Sequence, residues 1–380
     1  MLPAEPGSLR PASWQLERDL DIGPADRQHL PYCAVRSPER TPTRQAELSA
    51  LLDLWLRQEL GRAVQPPADG LGRMIEYHLG WRDQDLAPLA QGVGSGKRLR
   101  GILALLVSEA VCGSIEPARR AAMAVELVHN FSLVHDDIQD RSYLRRHRPT
   151  IWSLWGLEHG ITAGDWLWAL ASEILVGPST PGAAVQAEVL AEACVRLVEG
   201  QFLDLELQRG ATPPTLATYS AMIDRKTGAL FAAACRMGAL ACEASSEQTA
   251  AYARFGLRLG RAFQEQDDLL GVWGTSESTG KPERADLLER KRGLPAVIAL
   301  TREGAPAWLA AAYAGDAPME PATAMRVREH FDLTGVRAEV EARVRADSAA
   351  ALEALSVAGA REPARGHLAA ITRTLQQREA

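Results

Sequence analysis

The chain has 380 residues, of which 46% are hydrophobic and 24% charged, and its formal net charge is −6. This composition is typical of a globular enzyme and argues against a protein built to coat nucleic acid or anionic lipid. The five cysteines are scattered without a CxxC pair, so we expect neither a zinc site nor a disulfide framework, and a reducing cytoplasm as the location. We find neither a secretory signal nor a run of about 18 apolar residues, and therefore expect no membrane insertion.

Residues 1–45 differ from the rest of the chain. They contain seven prolines and little apolar periodicity, a pattern that predicts a loose arm rather than a folded domain. Beyond this arm, apolar residues recur at spacings of three and four, as they do on one face of an α-helix. The sequence therefore predicts a proline-rich N-terminal arm, 1–45, followed by one all-α domain, 46–380.

The helical pattern is interrupted where glycine and proline cluster. These breaks fall at 65–67, 177–178, 213–214 and 304–306, and alternating strand patterns are missing. Several of the predicted helices are apolar on most faces, which places them at the centre of a bundle. We expect roughly a dozen helices in one domain.

Lysine is rare in this arginine-rich chain, and each lysine has a loop-like or helix-end setting. Among 42 Lys plus Arg, the lysines are Lys97, Lys226, Lys281 and Lys291. In GSGKRLR, at 94–100, glycines precede Lys97 and Arg100 and an apolar helix follows, an arrangement that suits a phosphate group. The loop lacks the GxxxxGK[ST] pattern of a Walker A motif. The alternative is that all four lysines are solvated surface groups.

A group of carboxylates ends an apolar helical stretch at 136–140, which reads Asp-Asp-Ile-Gln-Asp. At 100° per residue, Asp136 and Asp140 are about 40° apart on the helical wheel, and His129 and Ser132 share their face. Carboxylates crowded beside apolar residues repel one another unless a cation joins them. Oxygen ligands with room for water suit Mg²⁺ that bridges a phosphate. The alternative is a solvated acidic helix end.

Two further clusters support a site for a metal and a diphosphate. Asp267 and Asp268 end a second apolar stretch, one turn after Gln264. Two acidic helix ends that face one cavity could hold several Mg²⁺ ions against a diphosphate. The arginines of segment 141–148 follow the first carboxylate group, where guanidinium and metal could hold a diphosphate between them.

Taken in order, these motifs resemble those of the trans-isoprenyl (polyprenyl) diphosphate synthases. GSGKRLR is similar to the family's GGKRLRP, and HDDIQD with RRHRPT resembles its first aspartate-rich motif; GQFLD, KTG, FQEQDD and GKPERADL with a later lysine complete the order. The resemblance runs from about residue 45 to the C-terminus and is most specific across 94–295. It implies one large α-helical bundle of the isoprenoid synthase type, with a central active-site cavity, in a cytoplasmic homodimer.

The resemblance also implies a reaction and the residues that perform it. An allylic diphosphate (dimethylallyl, geranyl or farnesyl) ionises, isopentenyl diphosphate attacks the cation, and proton loss gives a trans-prenyl diphosphate. Mg²⁺ ions, about three of them, assist, and Mn²⁺ can substitute. The residues expected to bind isopentenyl diphosphate are Lys97, Arg100, His129 and Arg146. Those expected to bind the allylic diphosphate are Arg145, Lys226, Thr227, Gln264 and Lys281. The expected metal ligands are Asp136, Asp140 and Asp267, and the further catalytic residues are Asp137, Asp268 and Lys226.

The residues just before Asp136 are expected to set the length of the product. A small residue at the fourth position, Ser132, and an aromatic one at the fifth, Phe131, resemble synthases that make twenty-carbon geranylgeranyl diphosphate. The helical wheel puts Phe131 about 140° from the metal face, so geometry alone does not support that role. Gly271 stands where many family members carry a third aspartate, which leaves Asp267 as the principal ligand of the second motif.

Two rival functions remain open. A class I terpene cyclase shares the fold and the aspartate–magnesium chemistry. A cyclase needs no second diphosphate, so Lys97, Arg100 and His129 count against it. A non-catalytic subunit of a heteromeric prenyl synthase is the other alternative, which the intact aspartate motifs disfavour.

Overall fold

The computed structural model describes residues 43–89, 96–177, 182–210, 212–275, 284–315 and 317–376. The first helices in these ranges are α1 (Arg44–Ala63), α2 (Asp69–His78), α3 (Leu99–Cys112), α4 (Arg119–Gln139), α5 (Ile151–Trp155), α6 (Leu157–Leu175), α7 (Ala183–Arg209) and α8 (Leu216–Ile223). They are followed by α9 (Ala229–Leu240), α10 (Ser246–Trp273), α11 (Ala285–Leu288), α12 (Leu294–Thr301), α13 (Ala307–Ala312), α14 (Pro321–Leu333), α15 (Val336–Val357) and α16 (Ala364–Gln376). A short 3₁₀-helix, Glu116–Ala118, precedes α4, and a π-helical segment, Asp224–Gly228, joins α8 to α9.

Local sequence explains where many of these helices begin and end. All four predicted breaks fall between helices, as the bounds given above show. Thr43 caps α1 by accepting a hydrogen bond from the backbone of Ala46, and capping boxes start α8 at Thr215 and α10 at Ser245. The predicted arm lies outside the described residues up to position 42, so its looseness stays a prediction.

Four helices, α3, α4, α9 and α10, form the centre of the larger apolar cluster. Ten of the 14 residues of α3 are buried, in agreement with a helix that is apolar on most faces. Two glycines let these helices approach closely. A Cβ atom on Gly238 of α9 would overlap the backbone of Ala104 in α3, and one on Gly256 of α10 would overlap the backbone of Phe231 in α9. Any larger residue there would push the central helices apart.

A second apolar cluster joins the C-terminal half of α10 to α8, α12, α14 and the start of α15. Trp273 and Phe331 pack together in it, with ring centroids 6.2 Å apart. One small sheet departs from the helical prediction: β1 (Leu144–Arg145) pairs with β2 (Arg148–Pro149) in an antiparallel hairpin. No helix in the described ranges has both the length and the apolar composition that a bilayer crossing requires.

No disulfide framework was expected from the sequence, but one pair of cysteines forms a disulfide. Cys112 ends α3 and Cys242 follows α9, and their Cα atoms lie 5.9 Å apart, paired as a disulfide. The two are 130 residues apart in sequence, and spacing alone could not show that the ends of these helices meet. Cys194 and Cys235 are buried and free.

Candidate active site

The first carboxylate motif lies at the C-terminal end of α4. Asp136 is half-buried on the last turn, and Asp140 is the exposed residue that caps the helix. Burial raises the pKa of Asp136, and the like charge of Asp140 adds to that shift, while Lys226 and Arg145 oppose it. The end of α4 therefore carries carboxylates that repel one another, and a bound cation would stabilise them.

Asp137 has a different environment from its neighbours. It is 2% exposed, and its Oδ1 accepts a hydrogen bond of 2.8 Å from Nε of Arg145. Burial raises the pKa of Asp137 to about 6, even though Arg145 favours the ionised form. Through this hydrogen bond Asp137 orients the Arg145 guanidinium at the edge of the site.

Arg145 and Arg146 lie on the small hairpin that follows α4. Arg146 and His147 form its turn with φ values of 51° and 62°, a conformation that costs energy for residues other than glycine. This turn directs Arg146 toward the GSGKRLR loop, because a Cβ atom on Gly96 would come within 2.6 Å of its guanidinium. Burial and the nearby Arg145 lower the pKa of Arg146 to about 10.

Arg100 and His129 meet between α3 and α4. Nη1 of Arg100 lies 3.1 Å from Nε2 of His129. A guanidinium only donates hydrogen bonds, so Nε2 accepts and the imidazole carries its proton on Nδ1. Burial, reinforced by the charge of Arg100, lowers the pKa of His129 well below its ordinary value. Burial lowers the pKa of Arg100 to about 10, against the attraction of Glu126 and of Asp267 on α10.

These contacts bring together most of the group expected to bind isopentenyl diphosphate. Lys97 lies exposed in the loop before α3. The neighbouring Arg98 is instead buried, and its Nε donates a 2.8 Å hydrogen bond to Asp53 of α1. This buried ion pair fixes the loop to the body of the protein. The loop and the hairpin turn that carries Arg146 thus form a basic cluster near Arg100 and His129.

A second cationic group lies around the π-helical segment. Nζ of Lys226 is 2.5 Å from Oδ2 of Asp204 on α7. Burial opposes the charge of both groups, but their attraction leaves the pKa of Asp204 lowered and that of Lys226 raised. A Cβ atom on Gly200 would overlap the backbone of Lys226, so this glycine permits the contact. Asp204 lies in the GQFLD motif, but no role was assigned to it from sequence.

Thr227, Gln264 and Asp268 form one chain of hydrogen bonds. Oγ1 of Thr227 donates to Oε1 of Gln264 at 2.8 Å, and Nε2 of Gln264 donates to Asp268 at 2.9 Å. Asp268 is 3% exposed and also accepts from Tyr219 and from the backbone N–H of Leu294. A carboxylate with three donors orients its neighbours, so Asp268 positions Gln264. Asp267, the other member of the pair, is half-buried on α10.

Lys291 is a further residue of this side. Its Nζ lies 3.9 Å from Oδ2 of Asp286, and this carboxylate raises the pKa of Lys291 strongly against the opposing effect of burial, with Asp268 and Asp204 contributing. Lys291 is one of the four lysines of the chain, and no role was predicted for it from the sequence. Lys281 lies outside the described residues.

Phe131 and Ser132 lie on different sides of α4. The hydroxyl of Ser132 donates a hydrogen bond to the backbone carbonyl of His129. By helix geometry Ser132 lies on the face that carries Asp136. Phe131 is half-buried and packs edge-to-face on His135, with ring centroids 4.9 Å apart. A Cβ atom on Gly164 of α6 would overlap the imidazole of His135, so the Phe131–His135 pair is directed toward α6.

The residues of the site fit a metal that arrives together with a phosphate ligand. Within the described ranges, no three acidic, histidine or cysteine side chains converge to form a closed metal site. Mg²⁺ is commonly held by one or two carboxylates and completed by phosphate oxygens and water. Asp136, Asp140 and Asp267 offer oxygen ligands of this kind, and a bound cation would offset both the burial and the like charge of Asp140 that raise the pKa of Asp136.

Comparison with known proteins identifies the family of the chain. The family model described as polyprenyl synthetase matches residues 86–328. A geranylgeranyl diphosphate synthase from Mycobacterium tuberculosis is 43% identical over 262 residues, which cover 68% of this chain and 74% of that relative. A (2E,6E)-farnesyl diphosphate synthase from the same species is 40% identical over 231 residues, and these cover 61% of this chain and only 64% of that relative.

Solved structures show the same architecture. The polyprenyl synthetase of Streptomyces coelicolor A3(2) superposes with a TM-score of 0.75 at 31% identity, over 86% of this chain and 99% of that one. A geranylgeranyl pyrophosphate synthase from Corynebacterium glutamicum gives 0.76 at 25% identity, over 88% and 99%. These matches confirm the predicted fold class and family. The chain belongs to the polyprenyl synthetase family and is a trans-prenyltransferase.

Proposed function

We propose that the chain joins isopentenyl diphosphate to an allylic diphosphate (dimethylallyl, geranyl or farnesyl) and releases geranylgeranyl diphosphate. The observation that carries this proposal is the presence of two cationic groups around one set of carboxylates. Arg100 and Arg146, beside neutral His129, form one group, and Lys226 and Lys291 form the other. Two diphosphates need two such groups, whereas a cyclase needs one.

The group around Lys226 suits the allylic diphosphate. Mg²⁺ held by Asp136, Asp140 and Asp267 would neutralise the charge that develops on the leaving diphosphate; we propose about three ions, which Mn²⁺ can replace. Lys226 and Lys291 offer compact ammonium groups to the same oxygens, and Arg145 and Lys281 would add to them. Thr227 and Gln264, fixed by Asp268, position this end of the substrate. Preorganised charge of this kind stabilises the break of the allylic C–O bond.

The group around Arg100 suits isopentenyl diphosphate. Arg100, Arg146 and Lys97 supply positive charge, and neutral His129 supplies an Nδ1–H donor. The double bond of the bound isopentenyl unit attacks the allylic cation, a C–C bond forms, and the released diphosphate accepts the proton that is lost. Burial of these groups between α3 and α4 helps to keep water from the cation.

One assay tests the proposal against its rivals. Purified protein is incubated with Mg²⁺ and an allylic diphosphate, with and without isopentenyl diphosphate. An elongated diphosphate that forms only with both substrates supports the synthase. A hydrocarbon from the allylic substrate alone would indicate a cyclase, and no turnover would indicate a subunit that needs a partner.

The geranylgeranyl length of the product rests on Phe131. Its ring packs against His135 on the α6 side of α4, and we propose that it closes the space available to a growing chain there. Replacing Phe131 by alanine opens that space, so we expect products longer than twenty carbons with the same primer. Mass spectrometry of the products measures this, and an unchanged product profile in a folded variant would remove Phe131 as the limit.

We further propose a homodimer. Large apolar side chains are exposed along α6 and α7, where a partner subunit would cover them. They are Leu157, Ile161, Trp168, Val195, Val198 and Phe202. Light scattering of the purified protein tests this assembly, and a monomeric mass at micromolar concentration would contradict it.

A further inference from the structure

The hairpin that carries Arg146 is too short to hold its own conformation. Each strand has two residues, and Arg145 stands opposite Arg148 in the register. An isolated two-stranded hairpin is marginally stable at best in water. The turn at Arg146 and His147 adds strain, because both residues have positive φ values. Contacts from outside the hairpin must therefore fix the direction of Arg146.

The two strands of the hairpin are held by different helices. In the first strand, Arg145 donates a hydrogen bond to Asp137 at the end of α4. In the second strand, Nη1 of Arg148 donates a 3.0 Å hydrogen bond to the backbone carbonyl of Tyr77 at the end of α2. Nη2 of Arg148 donates to the carbonyl of Arg82, in the segment that follows α2. Arg148 thus ties the second strand to the end of α2.

Tyr77 strengthens this connection from the side of α2. The guanidinium carbon of Arg148 lies 4.1 Å from the centroid of the Tyr77 ring, and the hydroxyl of Tyr77 donates a 2.7 Å hydrogen bond to the carbonyl of Pro149. The ring is buried and packs edge-to-face on Trp155, with centroids 5.1 Å apart. A ring fixed in this way gives Arg148 a cation–π contact at a defined position.

The end of α2 also holds the GSGKRLR loop. Nη2 of Arg98 donates to the carbonyl of Leu79 at 3.4 Å. Carbonyls at the end of a helix lack intrahelical partners, so they accept hydrogen bonds from side chains of this kind. Loop and hairpin approach each other at Gly96, beside the guanidinium of Arg146. The end of α2 is therefore a common support for the segments that carry Lys97 and Arg146.

We propose that Arg148 is a positioning residue for isopentenyl diphosphate: it holds the hairpin on α2 and thereby directs Arg146 to this substrate. The proposal rests on the proposed function of the basic cluster around Arg100. Arg148 itself is engaged with α2 and acts through Arg146. Arg145 depends less on Arg148, because Asp137 holds it separately. Loss of Arg148 should therefore affect isopentenyl diphosphate more than the allylic diphosphate.

The experiment measures the Kd of isopentenyl diphosphate for the full chain by isothermal titration calorimetry. Loss of one hydrogen bond to a charged group weakens an interaction by about ten-fold or more, so we expect Arg148→Met, which misdirects Arg146, to raise this Kd about ten-fold. In steady-state kinetics with Mg²⁺, the KM for isopentenyl diphosphate should rise more than the KM for the allylic diphosphate. Equal rises in both KM values would overturn the proposal.

Arg302→Met is the matched control for a loss of stability alone. Arg302 also donates to a backbone carbonyl, that of Thr334, and to the carboxylate of Glu339 on α15, a helix without site residues. This variant should lower the melting temperature, as Arg148→Met does, but leave the Kd of isopentenyl diphosphate unchanged. A similar rise of the Kd in both variants would reduce Arg148 to a general stabilising residue and overturn the proposal.

A double-mutant cycle shows whether Arg148 acts through Arg146. In an Arg146→Met background, Arg148→Met should no longer raise the Kd, because the group that it positions is gone. An equal rise in both backgrounds, or no rise in a folded Arg148→Met variant, would overturn the proposal. If Arg148→Met does not fold, Arg148→Lys takes its place in the cycle, since lysine keeps the charge but lacks the planar pair of donors. A wild-type protein that does not bind isopentenyl diphosphate would instead contradict the proposed function, so the two failures are distinguishable.

Discussion

Replacing Lys226 by methionine removes the ammonium group that offsets several carboxylates at once. Its Nζ lies 2.5 Å from Asp204, and its charge also acts on Asp136 and Asp140. The side chains of the pair are only 23% and 11% exposed. Removal of one partner from a buried pair costs about 3–5 kcal/mol, so we expect the metal-free variant to lose that much unfolding free energy.

The reverse change should cost much less. Asp204→Asn leaves Lys226 close to Asp136 and Asp140, which still compensate its charge, so we expect a loss of about 1 kcal/mol, the value of one ordinary hydrogen bond. Arg225→Met is the matched control, because Arg225 is the next residue and pairs with Glu199 through side chains that are 41% and 55% exposed. Exposed pairs contribute about 0–1 kcal/mol.

Urea unfolding of the metal-free proteins measures these losses, and steady-state kinetics measures the effect on catalysis. Loss of one preorganised donor typically lowers kcat by about 10²–10³, which we expect for Lys226→Met but not for Arg225→Met. Mg²⁺ with inorganic diphosphate should restore part of the lost stability, because the metal replaces the missing positive charge. Equal losses for Lys226→Met and Asp204→Asn would refute this account of the charge balance.

Two further predictions concern the body of the protein. Burial raises the pKa of Glu265 to about 8; a carboxyl whose pKa is raised on folding adds stability that is present below about pH 4.5 and lost as the pH rises through 8. Glu265→Gln should therefore gain up to roughly 4 kcal/mol on the wild type between pH 4.5 and 9 in urea unfolding, and a pH-independent difference would contradict this. The Cys112–Cys242 disulfide closes a loop of 130 residues, so reduction by dithiothreitol should lower the unfolding free energy by up to about 5 kcal/mol. Cys112→Ser should abolish this response to dithiothreitol. A wild-type protein whose stability does not change on reduction would exclude the disulfide.

Much of the fold and of the site could be predicted because periodic patterns and local motifs report directly on helices and charges. His129 and Ser132 were predicted to share the helical face of Asp136, and α4 (Arg119–Gln139) runs unbroken through all three positions, as that prediction requires. The breaks at glycine and proline were also confirmed. These features depend on residues close in sequence, where helix geometry fixes the outcome.

The features that could not be predicted from the sequence are contacts between distant segments. Asp204 meets Lys226, Asp286 overlaps the space beside Gly271, and Cys112 meets Cys242 because separate helices pack together. The chain also gave no alternating pattern for the hairpin that carries Arg146, since each of its strands is two residues long. Such short strands form because the flanking structure holds them.

The two cationic groups differ in how they are compensated, and this difference bears on substrate binding. On the allylic side, Lys226 is paired with Asp204, Lys291 lies beside Asp286, and Arg145 holds Asp137. A diphosphate that takes these cations leaves carboxylates uncompensated, unless metal ions bind to them at the same time.

On the other side, Arg100 contacts neutral His129 rather than a carboxylate, and burial lowers the pKa of Arg100 and of Arg146. A bound diphosphate offsets the cost of burying these cations without help from a metal. We therefore expect metal and allylic diphosphate to bind as a unit, and isopentenyl diphosphate to bind independently of metal. This asymmetry favours ionisation of the substrate that carries the metal and leaves the other intact as the nucleophile.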